Sequence, residues 1–373
     1  MSIIVIILTI ITLVYVITVA FMAFGYYKQI NDSIIPVNNT PSLKISVVIA
    51  ARNEEQNVEN CLNSIVNQEF NKDDFEIIII NDHSSDNTLN IIEEFKKRYK
   101  NVHCYSLSET SSKKAAIKLG VSKCLYNVVV ITDADCEVST NWLSLISTKF
   151  NNDLSLFIGP VQSISKGGLF GAFQELDMFS LQGFTFGSLG YNNPILINAA
   201  NMAFNKTDYL TYYPISTENI PSGDDMFLLE KLKRHKKNIR GFLNKGLIVT
   251  TKSENTLKDF IYQRIRWASK NKFYKDGWIQ FFGGLIFLTN MALIFICLHL
   301  IFVEQNRGVY IILLLTKWVI DFILLFLVSS FFKRRKVLAY FVPVQLIYPV
   351  YIFVVGVLST FLKIRWKGRI YNG

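Results

Sequence analysis

The sequence has few of the residues that build covalent or metal-bound frameworks. Its cysteines are scattered, with no CxxC pair and no histidine at ligand spacing: Cys61, Cys104, Cys124, Cys136 and Cys297. This pattern favours neither a disulfide framework nor a zinc site. It indicates a domain that faces the reducing cytosol.

Motifs of two common nucleotide chemistries are also missing. There is no GxGxxG and no GxxxxGK[ST], so dinucleotide cofactors and P-loop chemistry have little support. The net charge of +10 includes a basic run at residues 231–240. No recognition motif accompanies that run, which argues against nucleic acid as a partner. It is more typical of the cytoplasmic side of a membrane protein, where it meets anionic lipids.

Charged side chains are absent from three long stretches: 1–27, 277–303 and 337–362. Each exceeds the roughly 20 apolar residues that cross a bilayer. A fourth stretch, 308–332, has the same character apart from Lys317 and Asp321. The first stretch lacks both a preceding basic residue and a clear cleavage site, so we expect a retained anchor and not a secretory signal.

The remaining block, of roughly 250 residues, is long enough to bury a core of its own. We therefore predict four parts: an N-terminal transmembrane anchor at 1–27, a cytoplasmic domain at 28–276, transmembrane segments at 277–362 and a basic tail at 363–373.

Strands and helices alternate in this block. The apolar run 45–50 predicts a buried strand, and Asn53 is the expected N-cap of the helix after it. Further strands are predicted at 76–80, 102–105 and 127–132, with helices at 86–99 and 112–124. The alternation predicts an α/β fold with a mostly parallel sheet and helices on both faces. Ligands bind at the carboxyl ends of such strands, so the polar residues there are the first site candidates.

Two acidic pairs stand out. Asp133 and Asp135 follow the fourth predicted strand, where their carboxylates suit Mg²⁺ or Mn²⁺ bridging a diphosphate. The alternative is that Asp133 caps a turn and Asp135 is solvated. Asp224 and Asp225 precede a second helical run. A carboxylate there can remove a hydroxyl proton, or the pair can simply stabilise the helix N-terminus.

Gln263, Arg266 and Trp267 share one face of a helix predicted from about Thr256. An indole can stack on a sugar, and a guanidinium can hold phosphate oxygens. The alternative is a helix on the membrane surface, with tryptophan and arginine at the interface.

In this order the motifs resemble those of the family 2 glycosyltransferases, in particular the membrane-bound group of hyaluronan, chitin and cellulose synthases and ceramide glucosyltransferases. The segment 47–55 is similar to their nucleotide-binding strand and turn, which assigns Arg52 and Glu54 to the donor. Asp82 matches the aspartate that contacts uracil, although Asn81 and His83 depart from the usual D-D-G-S turn. Lys113 begins an element similar to K-x-x-A-L, near the donor.

The resemblance also assigns the other candidates. Asp135 is implied as the more direct metal ligand, with Asp133 beside it. Asp225 is the implied base, with Asp224 in support. The implied residues for acceptor and diphosphate are Asn201, Gln263, Arg266 and Trp267.

The resemblance implies a GT-A type nucleotide-diphospho-sugar transferase fold with added transmembrane helices. It also implies an inverting transfer from a nucleotide-diphosphate sugar, with UDP-sugars the best match, to a lipid, lipid-linked or polysaccharide acceptor. A non-catalytic scaffold or sensor that binds nucleotide sugars is the alternative.

Nucleotide sugars are made in the cytoplasm, so the resemblance places the block 28–276 there, at the plasma (inner) membrane. The basic loop 333–336 then lies inside, as the positive-inside rule requires. Simple alternation would leave the tail outside. Because Pro343 and Pro349 interrupt the last segment, we expect a re-entrant or broken helix that keeps the tail inside.

Lys317 and Asp321 are four residues apart, on one face of a predicted span. Buried charges are costly in hydrocarbon, so we expect them to neutralise each other or to face a polar cavity. A structural pair and a lining of the acceptor path are both open. With three spans after the block, single transfer to a lipid-like acceptor competes with processive synthesis.

Overall fold

The computed structural model describes residues 3–32, 43–108, 112–151, 153–213, 223–362, 364–366 and 369–371. The chain forms two compact units. The sheet unit comprises Gln29–Ile164 and Ile197–Lys252, and the helical unit comprises Met1–Lys28, Ser165–Leu196 and Ser253–Gly373. The domain bounds expected from the sequence stay a prediction. Residues 363, 367–368 and 372–373 of the expected tail lie outside the described residues.

Helices and strands are numbered in chain order. The helices are α1 (Ile3–Asp32), α2 (Val58–Val66), α3 (Thr88–Arg98), α4 (Lys113–Lys123), α5 (Trp142–Lys149), α6 (Gly168–Leu189), α7 (Lys206–Tyr212), α8 (Asp224–Arg234), α9 (Leu257–Ala268), α10 (Gly277–Phe302), α11 (Arg307–Phe331) and α12 (Phe341–Phe361). The strands are β1 (Ile45–Ala51), β2 (Phe75–Asn81), β3 (Val102–Ser106), β4 (Val128–Asp133), β5 (Cys136–Val138), β6 (Leu154–Ile158), β7 (Val161–Ile164), β8 (Met202–Asn205), β9 (Asn238–Gly241), β10 (Val249–Lys252), β11 (Ile364–Trp366) and β12 (Arg369–Tyr371).

The sheet unit is built on a seven-stranded sheet with the order β3-β2-β1-β4-β8-β6-β9. Strands β1 to β4 are parallel to one another, whereas β8 runs antiparallel to both β4 and β6. A smaller sheet has the order β5-β10-β7. The predicted α/β class is confirmed, and the main sheet is mixed.

Strands β1 to β4 could be predicted from the sequence because they are buried. Every residue of β2 is buried, because helices cover both faces of the sheet. Helix α4 packs tightly there: a Cβ at Gly120 would lie 2.4 Å from the Val48 side chain. The strands and helices predicted up to residue 133 are found within two residues of their expected bounds, apart from the start of α2.

That start was predicted wrongly. Asn53 is not the N-cap of α2, since the helix begins at Val58 and Asn57 occupies the cap position. Asn53 has a φ of 50°, and its side-chain oxygen accepts a hydrogen bond from the backbone N–H of Ser85. The oxygen expected to cap the helix is therefore engaged by the next loop.

Among its described residues, the helical unit contains four helices long and apolar enough to cross a membrane: Ile3–Asn31, Gly277–Phe302, Arg307–Phe331 and Arg335–Phe361. The last combines a 3-10 segment, Arg335–Tyr340, with α12. The interruption expected in α12 is absent, because the helix runs through Pro349. Pro343 lies in the first turn, where a missing N–H costs nothing.

Helix α6 was not anticipated. It lies in the middle of the expected cytoplasmic block but belongs to the helical unit, and most of its side chains are buried. Glycines bring its C-terminal end against α1. A Cβ at Gly25 would lie 2.1 Å from the Gly187 carbonyl oxygen, and one at Gly190 would lie 2.2 Å from that of Gly25. Nothing larger than glycine fits this seam as it stands.

A polar cluster lies among the apolar helices. Lys317 Nζ is 2.7 Å from Asp321 Oδ2 and donates to Gln345 Oε1 at 2.7 Å. The Tyr15 hydroxyl donates to Asp321 Oδ1, also at 2.7 Å. The expected mutual neutralisation of Lys317 and Asp321 is therefore confirmed, and three apolar helices are joined through it.

Candidate active site

Two loops meet at the carboxyl ends of β1 and β2. The guanidinium of Arg52, which follows β1, donates to the carbonyl oxygens of Asp82 at 2.8 Å and of His83 at 3.3 Å. The backbone N–H of Asp82 donates to the Ala51 carbonyl at 2.8 Å. Arg52 and Asp82, both predicted for the donor, are thus held side by side.

A series of hydrogen bonds joins the rest of the two loops. Backbone N–H groups of the first loop donate to side-chain oxygens of the second, and the reverse also occurs: Asn53 to Ser84 at 3.1 Å, Glu54 to Thr88 at 2.7 Å, Glu55 to Asp86 at 3.1 Å, Ser85 to Asn53 at 2.9 Å and Asn87 to Glu55 at 2.9 Å. We call this paired segment, residues 52–55 with 82–88, the loop clasp. It leaves little freedom to the residues predicted to bind the nucleotide.

Asp82 is almost fully buried, and its carboxylate is 3.3 Å from Nδ1 of His83. His83 has a φ of 54°, in the left-handed region that glycine adopts most readily, which accounts for the glycine at this position of the D-D-G-S turn. Asn81 accepts a hydrogen bond from the Ser84 N–H through its side chain. Both departures from the expected turn therefore have structural roles in the loop clasp.

The Glu54 carboxylate has a local partner. It accepts a hydrogen bond from the side-chain amide of Asn57 at 2.9 Å, and Asn57 in turn accepts one from Lys252 Nζ at 2.7 Å. The predicted donor contact of Glu54 stays a prediction.

Strand β4 ends at Asp133, and β5 begins one residue after Asp135. Both carboxylates are half-buried at this edge, and Lys113 forms an ion pair with Asp133. Burial lowers the pKa of Lys113, but its contacts with Asp133 and the charges of Asp225 and Asp135 outweigh that effect and raise it. The ammonium group thus pairs with Asp133 and is also stabilised by the charges of Asp225 and Asp135.

The second acidic pair opens α8 after Gly223, whose φ of 98° turns the chain into the helix. Asp225 accepts hydrogen bonds from the N–H groups of Ala199 at 3.1 Å and Met226 at 2.9 Å. Asp224 lies 3.0 Å from Nζ of the buried Lys114. The alternative role as helix-end charges also applies, since both residues are in the first turn.

Asn201 has a structural environment. It is fully buried, its Nδ2 donates to the carbonyls of Pro160 at 2.8 Å and Leu247 at 2.7 Å, and its Oδ1 accepts from Trp142 Nε1 at 3.2 Å. These bonds fix the 3-10 turn Ala199–Asn201, whose first N–H holds Asp225. The predicted contact of Asn201 with an acceptor finds no support in this geometry.

Gln263, Arg266 and Trp267 lie on α9, in the helical unit, and the helix begins close to its predicted start, with Thr256 as its N-cap. Gln263 donates to Glu254 Oε1 at 2.6 Å and accepts a hydrogen bond from Arg264. The Trp267 ring lies 4.3 Å from the Arg264 guanidinium carbon. Arg264 therefore contacts two of the three motif residues.

The sequence does not single out two cationic residues next to the predicted site residues, one lysine and one arginine. Lys114 and Arg264 each stand beside a motif position, and both are buried with a carboxylate partner. The only sequence signal was a basic residue in a helix with apolar neighbours. Their acidic partners are far away in the sequence, so that signal could not be interpreted.

Among the described residues, no group of three or more histidine, cysteine, aspartate or glutamate side chains is placed to hold a metal ion. Asp133 and Asp135 would therefore share a cation with other oxygen ligands, such as substrate phosphates and water. Oxygen ligands and shared phosphates are typical of Mg²⁺ and Mn²⁺.

Comparison with known proteins agrees with these features. Residues 46–211 match the family model described as glycosyl transferase family 2. A poly(ribitol-phosphate) beta-glucosyltransferase of Bacillus spizizenii is 47% identical over 60 residues, which is 16% of this chain and 10% of that protein. A poly-beta-1,6-N-acetyl-D-glucosamine synthase of Staphylococcus epidermidis is 32% identical over 141 residues, 37% of this chain and 34% of that protein.

A solved structure shares the architecture. The mannosyltransferase PcManGT from Pyrobaculum calidifontis, in complex with GDP-Man and Mn²⁺, aligns with a TM-score of 0.57 at 12% identity, over 96% of this chain and 98% of that one. The GT-A type fold is thereby confirmed. The chain spans only a tenth to a third of the length of the two curated relatives. Over residues 46–211 the chain is therefore similar to the family 2 glycosyltransferases.

Proposed function

We propose that the protein is a membrane-bound inverting glycosyltransferase that moves a sugar from a nucleotide-diphosphate donor to a lipid, lipid-linked or polysaccharide acceptor. The observation that carries the proposal is the position of Lys113, whose ammonium group lies in the field of Asp133, Asp135 and Asp225 at the edge of the sheet. One cation and three carboxylates at this edge suit a diphosphate, a divalent metal and a base.

The loop clasp is the proposed nucleotide site. Arg52 and Glu54 would face the donor, and Asp82 would accept a hydrogen bond from a uracil N–H, which makes UDP-sugars the first donors to test. The joined loops support this role, because a site formed before the ligand arrives loses less entropy on binding. Lys113 would hold phosphate oxygens.

Asp133 and Asp135 would hold a divalent cation, Mg²⁺ or Mn²⁺, together with the donor phosphates. When bound, such a cation stabilises the negative charge of the departing diphosphate. The Mn²⁺ named for the mannosyltransferase supports this choice.

Asp225 is the proposed base. Its carboxylate would take the proton of the acceptor hydroxyl as that oxygen attacks the anomeric carbon of the sugar. The bond between the anomeric carbon and the diphosphate oxygen breaks on the opposite face, so the products are the inverted glycoside and a nucleoside diphosphate. The N–H groups of Ala199 and Met226 hold the carboxylate in place, and Asp224 anchors the same helix turn.

We assign the acceptor side to α9. Trp267 would stack on the acceptor, and Gln263 and Arg266 would contact its polar groups or the diphosphate. An acceptor role for Asn201 has weaker grounds, because its side chain is fully engaged within the protein.

We propose that the sheet unit faces the cytoplasm, where nucleotide sugars are made. Within the helical unit, Arg334 of the basic loop 333–336 forms two hydrogen bonds with Glu175 of α6, at 3.0 and 2.7 Å. Strand β11 runs beside α9. Since α6 and α9 directly follow strands of the sheet unit, both observations favour loop and tail on the cytoplasmic side. A C-terminal reporter active only outside the cell would contradict this orientation.

The test uses membranes that contain the full chain. They are incubated with a panel of labelled nucleotide sugars, with and without Mn²⁺ or Mg²⁺, and lipid and polymer fractions are extracted separately. We expect one donor to label one fraction, with release of nucleoside diphosphate. Asp225→Asn should reduce the rate by about 100-fold or more, whereas Asp153→Asn, at an exposed site, should not.

The rival function is a nucleotide-sugar-binding scaffold or sensor without turnover. It would be favoured if no donor were consumed and if Asp225→Asn left the cellular product unchanged.

A further inference from the structure

Arg264 is one of the most enclosed charged residues of the helical unit. Its side chain is only 7% exposed, and its guanidinium lies between two aromatic rings of its own helix. The guanidinium carbon is 4.5 Å from the ring centre of Phe260 and 4.3 Å from that of Trp267. An arginine sandwiched in this way fixes the plane of both rings against its own.

Its polar contacts lead in two directions. Nε donates to Asp177 Oδ2 of α6 at 2.6 Å, and Nη1 donates to Gln263 Oε1. Asp177 also accepts hydrogen bonds from the hydroxyls of Tyr348 and Tyr351 in α12, each at 3.3 Å. The charge of Arg264 therefore joins α9, α6 and α12.

Gln263 is restrained at both ends of its amide. Its Oε1 accepts from Arg264, and its Nε2 donates to Glu254, whose backbone is held by Gln174 through hydrogen bonds of 3.0 and 2.9 Å. The orientation of this amide is thus set by Arg264 on one side and by α6 on the other.

We propose that Arg264 is a positioning residue that sets the orientation of Gln263 and Trp267 for the acceptor, and that Asp177 holds it against α12. This inference rests on the proposed function, since it deepens the role of α9. Lysine cannot replace Arg264. The planar guanidinium bonds Asp177 and Gln263 and stacks on two rings at the same time, and an ammonium group has no such planar fork. Substitution of Arg264 should therefore change the KM for the acceptor and leave the KM for the donor unchanged.

The first experiment reads the position of Trp267 without any turnover. The full chain is placed in lipid nanodiscs, and the fluorescence of Trp267 is obtained as the difference from Trp267→Phe. In Arg264→Lys we expect acrylamide to quench this component about twofold more strongly, because the ring loses its covering guanidinium. Arg307→Lys, at an exposed arginine of the same unit, is the control and should not change it.

The second experiment is kinetic. Arg264→Lys is expected to raise the KM for the acceptor about tenfold, with the KM for the donor within about twofold of the wild type. If Arg264→Lys does not fold, Tyr351→Phe is used, because it removes one hydrogen bond to Asp177 and keeps the ring. The same direction of change is expected at smaller size.

The proposal is overturned if a folded Arg264→Lys or Tyr351→Phe protein has unchanged Trp267 quenching, or if the donor KM rises as much as the acceptor KM. A wild-type protein that transfers no sugar would refute the proposed function instead. The quenching result would still decide the positioning of Trp267.

Discussion

Nζ of Lys114 lies 3.0 Å from Oδ1 of Asp224, while the preceding residue, Lys113, forms an ion pair with Asp133. Two consecutive lysines in the first turn of α4 therefore serve two acidic motifs that are about 90 residues apart in the sequence. Lys114 is buried, whereas Lys113 is partly exposed. Because of this difference, we expect Lys114 to hold Asp224 in place and Lys113 to contact the donor.

Lys114→Met should reduce kcat about tenfold or more with a smaller effect on the donor KM. Asp224 would lose the ammonium group beside it, and the turn that carries Asp225 would shift. Steady-state kinetics with varied donor measures both parameters. Lys123→Met, an exposed position at the other end of α4, is the matched control. An unchanged kcat would show that Asp224 does not position the base.

Lys113→Met should raise the donor KM about tenfold and change kcat less, because the proposed phosphate contact is lost. The raised pKa of Lys113 also sets a pH dependence. Its ion pair is complete below the ordinary value of 10.5 and is lost only as the pH rises through the higher value in the folded protein. Donor affinity should therefore fall only in strong alkali, and this alkaline limb should be missing in Lys113→Met.

Asp135→Asn should weaken Mn²⁺ binding in the presence of nucleoside diphosphate by about tenfold. The reason is that, in the described part of the chain, no group of three or more histidine, cysteine, aspartate or glutamate side chains could take over the proposed cation. Titration of free Mn²⁺ followed by electron paramagnetic resonance measures this without turnover. Asp153→Asn, at an exposed carboxylate of the same unit, should bind Mn²⁺ as the wild type does.

Asn201→Leu should lower the free energy of unfolding by about 3 kcal/mol, because the indole N–H of Trp142 and two buried carbonyls lose their partners. Denaturant unfolding followed by fluorescence tests this. A stable Asn201→Leu protein with a raised acceptor KM would instead support the acceptor role predicted from the sequence.

Lys317→Met should lower the melting temperature of the full chain strongly, since breaking a buried ion pair costs about 3–5 kcal/mol. Lys317→Met with Asp321→Leu should recover much of the loss, because no charge then stays buried alone. A double variant as unstable as the single one would point to a role for Asp321 beyond this pair, through Tyr15.

The sequence predicted well wherever a local pattern determined the structure. Apolar runs located β1 to β4, and Thr256 marked the start of α9. Polar residues after those strands did converge, because parallel strands end at one edge. Asn53 failed as a cap since its oxygen bonds the next loop, a partner 32 residues away.

Long-range partners explain the other misses. Arg264 bonds Asp177 from 87 residues away, and Asp177 lies on α6, which has no simple helical pattern because most of its circumference is buried. Pro349 predicts an interruption, yet the helix continues through it. None of these features has a signature in adjacent residues.

The glycine seam between α1 and α6 shows that the first helix is more than a hydrophobic tether. A tether only needs hydrophobic length, so any apolar segment can replace it. Here the backbone of α1 touches that of α6 at Gly25, Gly187 and Gly190, with the Phe21 and Tyr191 rings stacked 3.6 Å apart beside them. Shape complementarity of this kind is specific to one sequence. Exchanging α1 for a foreign apolar helix of equal length would keep the hydrophobic length but remove the backbone contact with α6. The first helix is therefore a component of the folded unit.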